Sequence, residues 1–189
     1  MRKVLLSVVL SLFSASLAHG ALIQHEFTPS PADLGDLDHS RAYTWGINWN
    51  WSDEVIDSAT LSIKNLNDWE VEPDDVLYIH LLDSATPGVK THSDTTPGDW
   101  FAGKGILLTT YSDPDTGSNP AVNWSYQFTS QDLNTLSSYV AGGFGLGFDP
   151  DCHFYNTGVK LTITTHTPEP AGLLIGGLAV SPLLYRKRH

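Results

Sequence analysis

Cysteine is almost absent from this chain: Cys152 is the only one in 189 residues. No intramolecular disulfide can form, so the fold must stand on a hydrophobic core, and Cys152 is expected to be a buried, unreactive thiol. Basic side chains are equally scarce through the middle of the chain. Between Ala21 and Thr165 only Arg41, Lys64, Lys90, Lys104 and Lys160 face twenty acidic residues, a net charge of −15. The whole-chain value of −11 hides this, because half of the ten basic residues sit in the two end segments. Such a surface repels phosphate backbones, which excludes nucleic acid as a partner, and it attracts cations. Missing too are G-x-S-x-G, H-E-x-x-H and a phosphate-binding glycine loop, so no familiar catalytic motif is on offer. Apolar runs are short and lie at the ends.

The first run, Val4 to Phe13, follows Arg2 and Lys3 and precedes small residues at Ser16-Leu17-Ala18 and Ala18-His19-Gly20. That order is the pattern of a secretory signal peptide occupying residues 1–20, removed by signal peptidase. The second run, Ala171 to Tyr185, is 15 residues without a charge. At about 1.5 Å per residue it reaches roughly 22 Å, short of a bilayer core of about 30 Å. Arg186, Lys187 and Arg188 follow and should hold the tip on the cytoplasmic side. The expectation is a short transmembrane segment that arrests an exported chain, with everything between the two runs on the outer face.

Pro168-Glu169-Pro170, an apolar segment and a basic cluster, in that order, resemble the PEP-CTERM sorting tag. The resemblance covers residues 166–189: the motif at 168–170, the apolar segment at 171–185 and the basic tail at 186–189. Pro182 inside the apolar segment and a final His189 depart from the pattern. The resemblance implies recognition by exosortase, a membrane enzyme of Gram-negative bacteria that make extracellular polysaccharide, and cutting near Pro168-Glu169-Pro170. It further implies a transient inner-membrane intermediate, then delivery to the cell surface or extracellular matrix.

Residues 21–165 form one extracytoplasmic domain, long enough to bury a proper core. Its signal is alternation with period two. Tyr43, Trp45, Ile47, Trp49 and Trp51 share one side of a predicted strand, an apolar face expected in the core. Ala59, Leu61 and Ile63 alternate likewise, as do Val122, Trp124, Tyr126 and Phe128, and Val159, Leu161 and Ile163. Val76 to Leu82 is apolar on both sides and reads as a strand covered on two faces. Phe144, Leu146 and Phe148 alternate with Gly145 and Gly147, so something should pack closely on the glycine face. With weaker segments at 21–27 and 105–111, about eight strands are expected. One short helix is predicted, capped by Ser130, with Leu133, Leu136 and Val140 on one face and Gly142 at its end. The fold class is therefore all-β: an antiparallel β-sandwich, jelly-roll-like, with one short helix.

Asp149-Pro150-Asp151 is echoed by Asp113-Pro114-Asp115. Calcium takes about six to eight oxygen ligands, which Asp149, Asp151 and Asn156 with loop carbonyls can begin to supply; Asp113 and Asp115 are a weaker pair. The alternative is a plain Asp-Pro turn. His153 invites a zinc reading, but His25, His39, His80 and His92 lack ligand spacing to it. Trp69 and Trp100 sit in polar loops and are the candidate glycan-stacking residues. The function expected is structural or adhesive, at the cell surface or in its polysaccharide, with calcium as a candidate ligand. The alternative is a secreted polysaccharide-processing enzyme built on paired carboxylates, for which Glu26, Glu54, Glu70 and Glu72 are the available glutamates.

Overall fold

The computed structural model describes residues 20–68, 75–112 and 120–168. Residues 1–19 of the expected signal peptide, the apolar segment 171–185, and Trp69, Asp113, Asp115, Glu169, Pro170, Arg186, Lys187 and Arg188 lie outside the described residues. No helix among the described residues is long and apolar enough to cross a membrane. Pro168 is exposed.

Two antiparallel sheets carry ten strands among the described residues: β1 (Leu22–Phe27), β2 (Arg41–Ile47), β3 (Val55–Asp68), β4 (Val76–Leu82), β5 (Gly88–Ser93), β6 (Ile106–Ser112), β7 (Val122–Gln127), β8 (Phe144–Pro150), β9 (Phe154–Tyr155) and β10 (Gly158–His166). One sheet runs β1-β10-β3-β7, with β9 also pairing β3; the other runs β5-β2-β8-β4-β6. The inward residues of the two sheets make one core. Leu61, Ile63, Leu161 and Ile163 meet Trp45, Ile79, Leu146 and Phe148, all within 4% of full burial. These are the positions the alternation assigns inward.

The eight expected strands are all present, with two additions. β5 is an edge strand whose side chains are exposed or half-buried, and β9 is two residues long. Neither carries an apolar alternation that a sequence can display. The run from Tyr43 to Trp51 does not stay in the sheet. Pairing with β8 ends at Ile47↔Phe144, and pairing with β5 ends at Gly46↔Gly88. With neighbours exhausted on both sides, the chain leaves the sheet, and Trp49 and Trp51 sit half-buried in the connection to β3.

The sole α-helix among the described residues, α1 (Ser130–Tyr139), is capped by Thr129, one residue earlier than expected. The Asp132 carboxylate explains the shift, because it accepts from the Thr129 backbone N–H at 2.8 Å and the Thr129 hydroxyl at 2.7 Å. The Thr129 side chain in turn accepts from the Asp132 N–H, closing a capping box. Tyr126 also donates to Asp132 at 2.8 Å, tying the helix start to β7; burial and that carboxylate push the Tyr126 phenol up to about 12. Thr129→Ala should therefore cost about 1 kcal/mol, readable as a lowered melting temperature in a thermal scan.

Every residue of β8 is buried. Its inner side faces the core, and its outer side is roofed by the segment from Asp94 to Gly105. Phe101, 1% exposed, lies on Gly147: a Cβ there would come within 2.9 Å of the phenyl ring. At Gly145 a Cβ would meet Ala85 Cβ at 2.5 Å. The glycine face is covered as expected, and a small second core of Ala42, Leu82 and Phe101 forms beneath the roof.

Candidate functional site

An opening lies between the β2–β3 connection and the end of α1. It is a cleft of about 500 Å³ lined by Trp49, Asn50, Trp51, Ser52 and Glu54 on one side and Ser137, Val140 and Ala141 on the other. The two indoles meet edge to face at 5.2 Å, and the Trp49 indole N–H donates to the Trp51 carbonyl at 3.1 Å. Phe27 and Phe144 support Trp49 from the core side. His25 lies 4.0 Å from the Trp51 ring centre, and its Nε2 is 2.6 Å from Glu54 Oε2. The buried Thr165 hydroxyl also donates to Glu54 Oε2, and these contacts, Thr165 first, hold the Glu54 carboxyl below its ordinary range. Glu54 is thus a fixed, ionised acceptor at the wall of an aromatic cleft. Among the described residues of that lining it is the only carboxylate.

The predicted site residues fall in other places. Trp100 is half-buried and already engaged: His92 stacks on it at 4.7 Å and the Lys104 ammonium sits 3.1 Å from the ring centre. Burial first, then Lys104, lowers the His92 pKa. A sugar ring would have to displace those groups, so among the described tryptophans the cleft pair Trp49 and Trp51 is better placed than Trp100. Alternation alone assigns that pair to the core, because it continues past the end of the strand; the polar Asn48, Asn50, Ser52 and Asp53 between and after them are the signal that the strand has ended.

Asp149 and Asp151 come together with the roof segment rather than with Asn156. Asp149 Oδ2 accepts the Trp100 N–H at 2.7 Å, and Asp151 accepts the Gly98 N–H at 3.0 and 3.2 Å. Asn156 turns away: its amide donates to the Asp33 carbonyl at 2.9 Å and its oxygen accepts from the Gly158 N–H at 3.1 Å. Asp94, 3% exposed, joins Asp149 from the roof. Burial above all, with Asp94 and Asp151 adding negative charge, pushes the Asp149 carboxyl up to about 7. Beside them His80 spans from Asp99 Oδ2 at 2.9 Å to the Lys104 carbonyl at 3.2 Å, so the expected core histidine braces the same roof.

Two tighter donor clusters are invisible in sequence. Asp38, His39 and His153 each bring one donor atom within 4.8 Å of the others, as do Asp68, Asp75 and Cys152. His39 and His153 rings lie 4.3 Å apart although their segments are remote in the chain. Cys152 is fully buried and donates its thiol to Asp68 Oδ1 at 3.2 Å; burial and that carboxylate push the thiol well above its usual range. It should accordingly resist alkylation in the native protein and react only after unfolding, a contrast that mass spectrometry with and without denaturant reads directly.

Fold and site together define an all-β protein of two antiparallel sheets, with an aromatic cleft at one end and an acid-pinned roof over one face. No family model matches the chain, and no curated protein does. Among solved structures, the X-ray structure of tomato aspermy virus is similar over 86% of this chain and 85% of that chain, at 11% identity and a TM-score of 0.35. A likeness that remote carries no argument about what this chain does.

Proposed function

We propose that this chain is an exported β-sandwich protein of a Gram-negative bacterium, processed by signal peptidase and exosortase and delivered to the cell surface or extracellular matrix. There it serves a structural or adhesive role, holding polysaccharide in the Trp49–Trp51 cleft. The two end segments support the route. We read the sheet orders β1-β10-β3-β7 and β2-β8-β4-β6, with β5 added at an edge, as a jelly roll, a frame suited to carrying a site on its connecting loops.

The observation that carries the binding role is the cleft itself. Indole faces offer an apolar, polarisable wall to the C–H face of a sugar ring, while Glu54, Asn50 and Ser52 offer acceptors and donors to its hydroxyls. The domain's net charge of −15 argues further for a neutral glycan over a uronate. Val55, at the cleft rim, pairs with His166, just before Pro168, so the cleft opens at the end where the tag joins.

The test compares retention on an insoluble neutral glucan and on a polyuronate. Wild-type protein should be retained on the glucan. Trp51→Ala should weaken retention at least tenfold, about 1.4 kcal/mol, with Trp100→Ala close to wild type. A melting curve for each variant separates lost binding from lost folding. Retention on the polyuronate alone, or retention indifferent to Trp51, would refute the cleft as the binding site.

A further inference from the structure

We propose that Asp38, His39 and His153 form a site for a divalent transition metal, best suited to zinc, that staples the β1–β2 connection to the β8–β9 connection. Each residue brings one donor atom within 4.8 Å of the other two, and His153 Nε2 lies 3.9 Å from Asp38 Oδ1. Zinc bonds of about 2.0–2.2 Å set tetrahedral ligand atoms about 3.4 Å apart. From within 4.8 Å the side chains need draw in by about 1.4 Å at most, a movement their torsions supply with the backbone in place.

That backbone is already fixed. Leu37 and Phe154, the chain neighbours of Asp38 and His153, exchange both backbone hydrogen bonds, at 3.1 and 2.9 Å, and both side chains lie in the core. The Asp38 N–H donates to the Tyr43 hydroxyl at 3.0 Å, its carbonyl accepts from the Arg41 N–H at 2.9 Å, and its Oδ1 accepts from the Ser40 N–H at 2.8 Å. The Ser40 N–H first, with His153 and His39 beside it, holds the Asp38 carboxyl below its ordinary range and so keeps it an anionic ligand. The sequence offers His153 as a zinc candidate with no partner at ligand spacing; the Leu37–Phe154 bridge brings His39 to it from a remote segment, with the rings 4.3 Å apart. His39 is exposed and Asp38 is 43% exposed, which gives an ion access and leaves a position for water as a fourth ligand.

The donor set selects the ion. Two ring nitrogens with one carboxylate suit zinc, nickel or copper, whereas calcium takes about six to eight oxygens. The acidic domain attracts cations of either kind, so the discrimination comes from the nitrogens. In a chain with one cysteine, and hence no internal disulfide, a metal clip is a means of tying remote segments together.

The experiment uses the exported protein, stripped of metal with a chelator that is then dialysed away. Zinc titrated by calorimetry should fill one saturable site. Saturation at about 100 times the dissociation constant should raise the melting temperature by roughly 5–10 °C. Calcium at the same concentrations should do neither. His39→Ala and His153→Ala should each weaken zinc binding at least about tenfold and remove the melting shift. His166→Ala, which deletes a part-exposed imidazole 2.8 Å from Asp57, should leave both responses unchanged. His39 is exposed, so its variant carries the test should His153→Ala fail to fold. Absence of a saturable zinc site overturns the proposal. So does zinc binding that survives His39→Ala or is lost in His166→Ala, or a calcium response equal to that of zinc.

Discussion

Phe101→Ala is expected to cost about 3–5 kcal/mol, the usual range for emptying a buried phenylalanine site. The ring is 1% exposed, rests on Gly147, lies 4.9 Å from Trp100 and 5.6 Å from His80, and fills the space between roof and sheet. Removing it leaves the roof tied through its polar anchors at Asp149, Asp151 and His80, the Asp94 N–H on the Ser40 carbonyl and the Trp100–His92 stack. Gly147→Val attacks the same contact from the other side, because its first added carbon already falls 2.9 Å from the ring. Both variants should release the roof before the main core melts. Hydrogen exchange would show faster amides at Gly98, Trp100 and Phe101 with β3 and β10 still protected. Uniform loss of protection in every strand would mean instead that roof and core are one cooperative unit.

Measured relative to Asp149→Asn, wild-type stability should fall as pH rises from 4 to 8. The direction follows from the raised carboxyl, at about 7 in the fold against an ordinary value of 3.8. A raised acid binds its proton more tightly when folded. Its contribution is complete below pH 3.8, is lost progressively up to about 7, and is constant above. The size is on the order of 2–4 kcal/mol. The amide introduced by Asp149→Asn would keep an oxygen for the Trp100 N–H and put its NH2 toward Asp94, so the variant should overtake wild type near neutral pH. Glu26, Asp38 and Glu54 are shifted downward and act in the opposite sense, losing stability as pH falls through their folded values. They are common to both proteins and cancel in the difference. A wild-type and variant pair with parallel pH profiles would contradict the assignment.

The sheets are legible in the sequence because period-two alternation survives wherever a strand has one face in the core. Leu61, Ile63, Leu161 and Ile163 show it plainly. β5 escapes because an edge strand needs no apolar face, and β9 because two residues have no period. Trp49 and Trp51 mislead for a related reason: alternation continues in sequence where hydrogen-bonding neighbours have run out in space. Gly145 and Gly147 announce a close cover, yet nothing local says that Phe101 supplies it. The acidic DPD pair is visible, while its partner Asp94 and the meeting of His39 with His153 depend on tertiary contacts between distant segments. Net charge needs no structure at all: the domain's −15 is counted in the sequence, and the repulsion of phosphate backbones that it implies is an electrostatic expectation.

The proposed export and tail removal would decide where the domain works, and the intact mass of the protein recovered outside the cell tests them most directly. The account predicts a chain lacking the first 18–20 residues and ending near Pro168-Glu169-Pro170, without the apolar segment and Arg186-Lys187-Arg188. A full-length mass with the RKRH terminus intact, found only in the membrane fraction, would contradict it and leave an unprocessed, membrane-anchored protein in its place.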